Sequence, residues 1–166
     1  GQTALIISYG RTSTVNSAET MRVTQYHVPL GAEKALITLS YIEGDPQAQQ
    51  DVHSMLYHLY SFTREGTALS PSPMGLSGLG YNGHVFWDTE LWMYPALLVL
   101  HPELAKSMIE YRYQRLDAAK RNAFSKGYKG AMFPWESADS GVEETPVWAL
   151  SGPFEHHITG CVAIAA

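Results

Sequence analysis

Two aromatic–carboxylate pairs carry the chemistry that this sequence offers: Trp87-Asp88 in GYNGHVFWDTE and Trp135-Glu136 in FPWESADSG. An indole face packs on the C–H face of a sugar ring, and a carboxylate takes bonds from vicinal hydroxyls two at a time. Carboxylates also do acid–base work at a glycosidic bond. A bland reading competes for each pair. Asp88 stands where a helix N-cap would stand, ahead of Leu91, Trp92 and Tyr94, with Trp87 as a packing staple and Glu90 complementing the helix dipole. Both readings stay open, because a capping position exposes a carboxylate at the loop end of its helix. Trp135-Glu136 lies between Pro134 and SADSG, an irregular stretch where an indole is either packed or used.

Other candidates are weaker. Glu155-His156-His157 contains metal-ligand residue types, but adjacent histidines point apart and no HExxH spacing is present, so hydrogen bonding near a site mouth or a structural role is expected and no metal. Asp139, Glu143 and Glu144 do not follow EF-hand spacing and read as solvated turn residues. Gly75, Gly78, Gly80 and Gly83 lack the order and the following Lys of a phosphate loop, and GLSGLG lacks the setting of a nucleophile elbow. His101 suits a cap ahead of Pro102. The lone Cys161 reads as a small buried hydrophobe.

The elements that must position these groups follow from periodicity. Residues 4–9, 21–28 and 35–42 are β-type runs parted by Gly10, Pro29 and Gly31, and MRVTQYHV alternates as a strand with one buried face. From Asp45, an N-cap with Pro46 at the first helical position, a helix is expected with the stripe Val52, Met55, Leu56, Leu59 and Tyr60 and a stop at Gly66. A Ser/Pro/Gly-rich loop leads into the first pair. A helix follows over 88–100, with Pro95 forcing a kink or a late start. Another is expected from Pro102 to Lys126, stopping at Gly127, with the stripe Ala105, Met108, Ile109, Tyr113, Leu116 and Ala119. Two site-bearing loops and a final helix complete the pattern. Helices alternating with such loops suit an α/α toroid.

At 166 residues, 45% hydrophobic, the chain can bury a real core. Sixteen acids against eleven bases give a net charge of −5, which argues against nucleic acid as a partner. No apolar run reaches the length of a membrane span. The chain ends within the apolar run TGCVAIAA, which suggests a fragment of something larger.

GYNGHVFWDTELWMYP, LHPELAKSMIEYRYQRLDAAKRNA, GYKGAMFPWESADSGVEETP and EHHITG together resemble glycoside hydrolase family 65 in order and spacing, over residues 42–166. The resemblance implies a mainly α fold. Residues 43–166 would supply the first helices and site loops of an (α/α)6 catalytic barrel, and residues 1–42 would be a β-rich remnant of an N-terminal β-sandwich. It also implies inverting action on α-linked glucosides by hydrolysis, or by phosphorolysis with inorganic phosphate as co-substrate, releasing glucose 1-phosphate. The WESADSG wording is most similar to the hydrolase branch near the glucosylgalactosyl-hydroxylysine glucosidase.

By that resemblance, Trp87, Asp88, Trp135 and Glu136 hold the transferred glucose, while Glu155, His156 and His157 face the acceptor side. The family's general acid would lie downstream of Ala166, leaving no catalytic acid in this chain. One departure is that residues 1–41 lack the family's tryptophan-rich linker. The resemblance implies an oligosaccharide or glycoconjugate substrate and no cofactor. A homo-oligomer, a non-catalytic carbohydrate-binding or structural role, and the compartment stay open.

Overall fold

The computed structural model describes the backbone of residues 5–12, 20–30 and 33–43, and backbone and side chains from Asp45 to Ala166. The fold is mainly helical. It divides into two compact units, Gly1–Tyr57 and His58–Ala166.

The first unit holds an antiparallel meander in the order β1 (Leu5–Thr12), β2 (Thr20–Leu30), β3 (Glu33–Glu43). Two expected breakers lie inside strands: Gly10 pairs with Arg22 and Pro29 with Lys34. Ala4, Gly31 and the expected buried face of MRVTQYHV lie outside what is described.

Helix α1 (Pro46–Ser61) starts as expected: the Ala48 N–H donates to Asp45 Oδ1 at 2.9 Å. It ends at Ser61, ahead of Gly66, where the Thr63 hydroxyl donates to the Leu59 carbonyl and Arg64 to the Ser61 carbonyl. Its apolar stripe is not core. No residue of α1 is buried, and Met55 is 63% exposed.

The second unit carries two hydrophobic clusters. Leu97, Ala105 and Met108 join α2 (Tyr94–Leu100) to α3 (Pro102–Gln114), with Tyr60, Met93, Tyr94 and Leu104 against them. Ala119 of α4 (Leu116–Ser125), Phe133, and Ile158 and Val162 of α5 (His157–Ala165) form the other. Cys161 is buried on α5, and that burial pushes its thiol pKa up. No helix among the described residues is long and apolar enough to cross a membrane.

The expected helix over 88–100 changes type at its proline. Residues Thr89–Met93 form a π-helical turn, with the Tyr94 N–H on the Thr89 carbonyl, and α2 takes Pro95 in its first turn. Proline has no N–H to continue the i→i−4 ladder, and the wider turn absorbs the gap.

The expected single helix from Pro102 to Lys126 breaks at Arg115. The Arg115 N–H donates to the Arg112 carbonyl while its Nη1 donates to the Tyr111 carbonyl, the acceptor that a continuous α-helix would use. The face turned inward also differs. Tyr113 is 70% exposed, and Ser107, Tyr111 and Arg112 are buried instead. Gly127, at φ +80°, follows the end of α4.

Candidate functional site

The two aromatic–carboxylate segments are fastened to each other by backbone. Val85 and Ser137 form an isolated antiparallel bridge: the Val85 N–H donates to the Ser137 carbonyl at 2.8 Å, and the reverse bond is 3.0 Å. Segments 52 residues apart in sequence are thereby held in register, one residue before Phe86-Trp87 and one residue after Glu136. Phe86 packs edge-on to Trp135, centroids 5.0 Å apart. Trp87 and Trp135 both lie half-buried against the cluster of Ala119, Phe133, Ile158 and Val162.

Asp88 does not cap its helix. It has helical dihedrals (φ −52°, ψ −36°) and no side-chain cap hydrogen bond, whereas a capping residue is extended. The Glu90 and Leu91 N–H groups donate to the Trp87 carbonyl instead. Among the described residues the half-buried Asp88 carboxylate has no hydrogen-bonded or ion-pair partner.

Glu136 is 3% exposed. His84 Nδ1 donates to its Oε1 at 2.7 Å. A carboxylate only accepts, so the imidazole carries its hydrogen on Nδ1. The peptide units around Glu136 are tied down as well. Glu143 Oε2 accepts from the Trp135 N–H at 3.2 Å, and its Oε1 accepts from the Glu136 N–H at 3.3 Å and from Thr145 Oγ1 at 2.5 Å. The Glu144 N–H donates to the Glu136 carbonyl. Glu143, expected as a solvated turn residue, is therefore the clip that shapes the second segment. Asp139 differs again: its carboxylate is 98% exposed yet takes Arg115 Nη2 at 2.8 Å, and its carbonyl takes Arg115 Nε.

Glu90, expected to complement the helix dipole, is instead half of a buried ion pair. It is 2% exposed and bound in two places by Arg112, Nε to Oε1 at 2.6 Å and Nη2 to Oε2 at 2.9 Å. Arg112 Nη2 also donates to the Phe86 carbonyl, fixing the approach to Trp87. The preceding residue of α3, Tyr111, is buried too: it donates to the Ala138 carbonyl at 2.6 Å and takes the Ser137 hydroxyl at 2.7 Å. Burial raises the Tyr111 pKa against the opposing Ser137 bond and the nearby Arg112 and Arg115 charges. Arg115 lies over the Tyr111 ring at 4.0 Å.

The third loop reaches the same place. His157 stands edge-on to Trp87 with centroids 5.0 Å apart, and its Nδ1 lies 3.6 Å from Glu155 Oε2. Glu155 Oε1 accepts from Ser151 Oγ. His156 turns away onto Tyr128. A Cβ on Gly152 would stand 3.0 Å from Trp135 Cε3 and 2.9 Å from Thr145 Cγ2, so glycine is what lets this loop lie on the indole. His101 accepts the first N–H groups of α3 with its carbonyl, not its ring, which pairs with Glu103. Among the described residues no group of three or more His, Cys, Asp or Glu could hold a metal ion.

Trp87, Trp135, Glu136 and His157 are thus gathered around one core cluster, with Asp88 beside Trp87 and His156 apart. His84, Arg112, Tyr111 and Glu143 were not singled out from sequence as site-shaping residues. Arg112 left a usable signal, a cation four residues after Met108 on an otherwise apolar row, which needs a buried partner. His84 left none beyond its place beside the first pair.

The model of the glycosyl hydrolase family 65 central catalytic domain matches residues 53–166. A kojibiose hydrolase of Mucilaginibacter mallensis is 79% identical over 125 residues, 75% of this chain and 18% of that protein. A kojibiose phosphorylase of Thermoanaerobacter brockii is 43% identical over 152 residues, 85% of this chain and 20% of that protein. The protein-glucosylgalactosylhydroxylysine glucosidase of Dictyostelium discoideum is 46% identical over 135 residues, 78% of this chain and 19% of that protein. A solved structure titled a putative kojibiose phosphorylase from human microbiome shares the fold at TM-score 0.54 and 18% identity, over 96% of this chain and 31% of the other. The chain spans about a fifth of the length of the curated relatives it matches. It belongs to glycosyl hydrolase family 65.

Proposed function

We propose that this chain is part of an inverting glycoside hydrolase acting on α-linked glucosides, with kojibiose as the first substrate to try, and that it carries the glucose-holding half of the active site. One observation carries the reading: two indoles converge on one core cluster while an adjacent half-buried carboxylate, Asp88, has no partner among the described residues. A buried or half-buried acceptor without a donor is costly unless a ligand supplies one, and sugar hydroxyls supply several. Trp87 and Trp135 would wall the glucose, Asp88 and Glu136 would accept from its hydroxyls, and Glu155 and His157 would face the acceptor sugar, with His156, turned onto Tyr128, at the edge of that side. The general acid would come from sequence after Ala166. No cofactor is proposed. Residues 43–166 would form the first helices and site loops of an (α/α)6 barrel, and residues 1–42 part of a β-sandwich.

Hydrolysis is put ahead of phosphorolysis because the relative at 79% identity is a hydrolase and the phosphorylase is at 43%. The test is product analysis of the intact enzyme on kojibiose, by proton NMR, with and without inorganic phosphate. Release of β-glucose at a rate indifferent to phosphate is expected. Glucose 1-phosphate formed only with phosphate would move the enzyme to the phosphorylases, and an initial excess of α-glucose over the anomeric mixture released from the reducing end would contradict inversion.

A further inference from the structure

We propose that His84 is a positioning residue for Glu136: its Nδ1–H fixes one carboxylate oxygen so that the other alone receives a glucose hydroxyl. The inference rests on the reading of Glu136 as a glucose-holding carboxylate. Three observations support it. Glu136 is almost fully buried, His84 Nδ1 is 2.7 Å from Oε1, and Oε2 accepts no hydrogen bond among the described residues. Oε2 is also absent from the sealed, unpartnered polar atoms, which are on Tyr60, Ser70 and Ser72, so it keeps access to solvent.

The backbone is shaped to deliver this contact. Tyr81 and Asn82, neither of them glycine, are left-handed at φ 57° and 55°, and the His84 N–H closes the turn on the Tyr81 carbonyl at 2.8 Å. Left-handed non-glycine residues are strained, and two in succession persist only where surrounding structure holds them. The residue after His84 is locked by the Val85–Ser137 bridge. A free carboxylate can rotate about its last bond and present either oxygen. The imidazole removes that freedom, so the sugar-binding geometry is set before the sugar arrives.

The isosteres separate this role from simple packing. The amide nitrogen of Asn falls near the Nδ1 position of His, whereas that of Gln falls near Nε2. In the intact hydrolase, His84→Gln should lower kcat/KM on kojibiose and weaken glucose binding about 10- to 100-fold, the scale of a hydrogen bond to a charged group. His84→Asn should stay within about threefold of the parent. In a Glu136→Gln background, His84→Gln should add less than about twofold, because the group it acts through is already changed. The His84 variants carry a polar side chain at a part-exposed site, and a melting curve for each variant checks that it is folded. Equal losses for Asn and Gln, no loss for Gln, or losses that multiply with Glu136→Gln would overturn the inference while leaving the glucose-holding site intact. A silent Glu136→Gln would overturn the role of Glu136 and this inference with it.

Discussion

Arg112 shows how much a single residue does for the first aromatic–carboxylate pair. Its guanidinium is 3% exposed and neutralises Glu90, whose side chain is fully buried, while Nη2, shared with Glu90, also holds the Phe86 carbonyl just before Trp87. Breaking such a pair leaves an uncompensated buried charge. Arg112→Met should therefore cost about 3–5 kcal/mol in urea unfolding. The double replacement Glu90→Leu/Arg112→Met removes both charges and should recover most of that loss. If the single and double variants are equally destabilised, packing around Arg112 rather than its charge is what matters. Sequence read Glu90 as complementing the helix dipole, because an acid in a first helical turn ordinarily does so. The partner that pulls it inward is 22 residues away, on a different helix.

At the scale of elements, α3 acts as a strap across both site segments. Arg112 reaches the first, and Tyr111 reaches Ser137 and Ala138 in the second. The strap has a pH limit. Burial raises the Tyr111 pKa above the ordinary 10.0, so the folded chain keeps a phenol proton that the unfolded chain loses first. The stability from this group is complete below pH 10 and is lost as pH rises through the folded value. Urea midpoints should fall above about pH 10, and Tyr111→Phe should lose part of that slope while costing about 1 kcal/mol at neutral pH. An unchanged slope would show that other groups set the alkaline limit.

These elements were unevenly legible. The starts of α1 and α3, marked by Asp45-Pro46 and His101-Pro102, lie where proline and cap signals put them. The break at Arg115 was hidden, because it arises from that side chain taking the Tyr111 carbonyl, guided by contacts with Ala68 and Asp139 far along the chain. Pro29 failed as a breaker as well: it lies inside β2, paired with Lys34 of β3.

For the molecule as a whole, the family was legible because several short motifs occur together in order, and residues 53–166 match its catalytic domain. The supporting network was not. Helix periodicity reports which face is apolar, whereas His84, Tyr111, Arg112 and Glu143 act through partners fixed only by the tertiary fold. The central claim is that Trp87, Asp88, Trp135 and Glu136 together hold glucose. Calorimetric titration of glucose into the intact enzyme, with Asp88→Asn and Glu136→Gln alongside, tests it most directly. Each variant should bind glucose about 10- to 100-fold more weakly than the parent, the worth of a hydrogen bond to a carboxylate. Parent-like affinity in both variants would contradict the account.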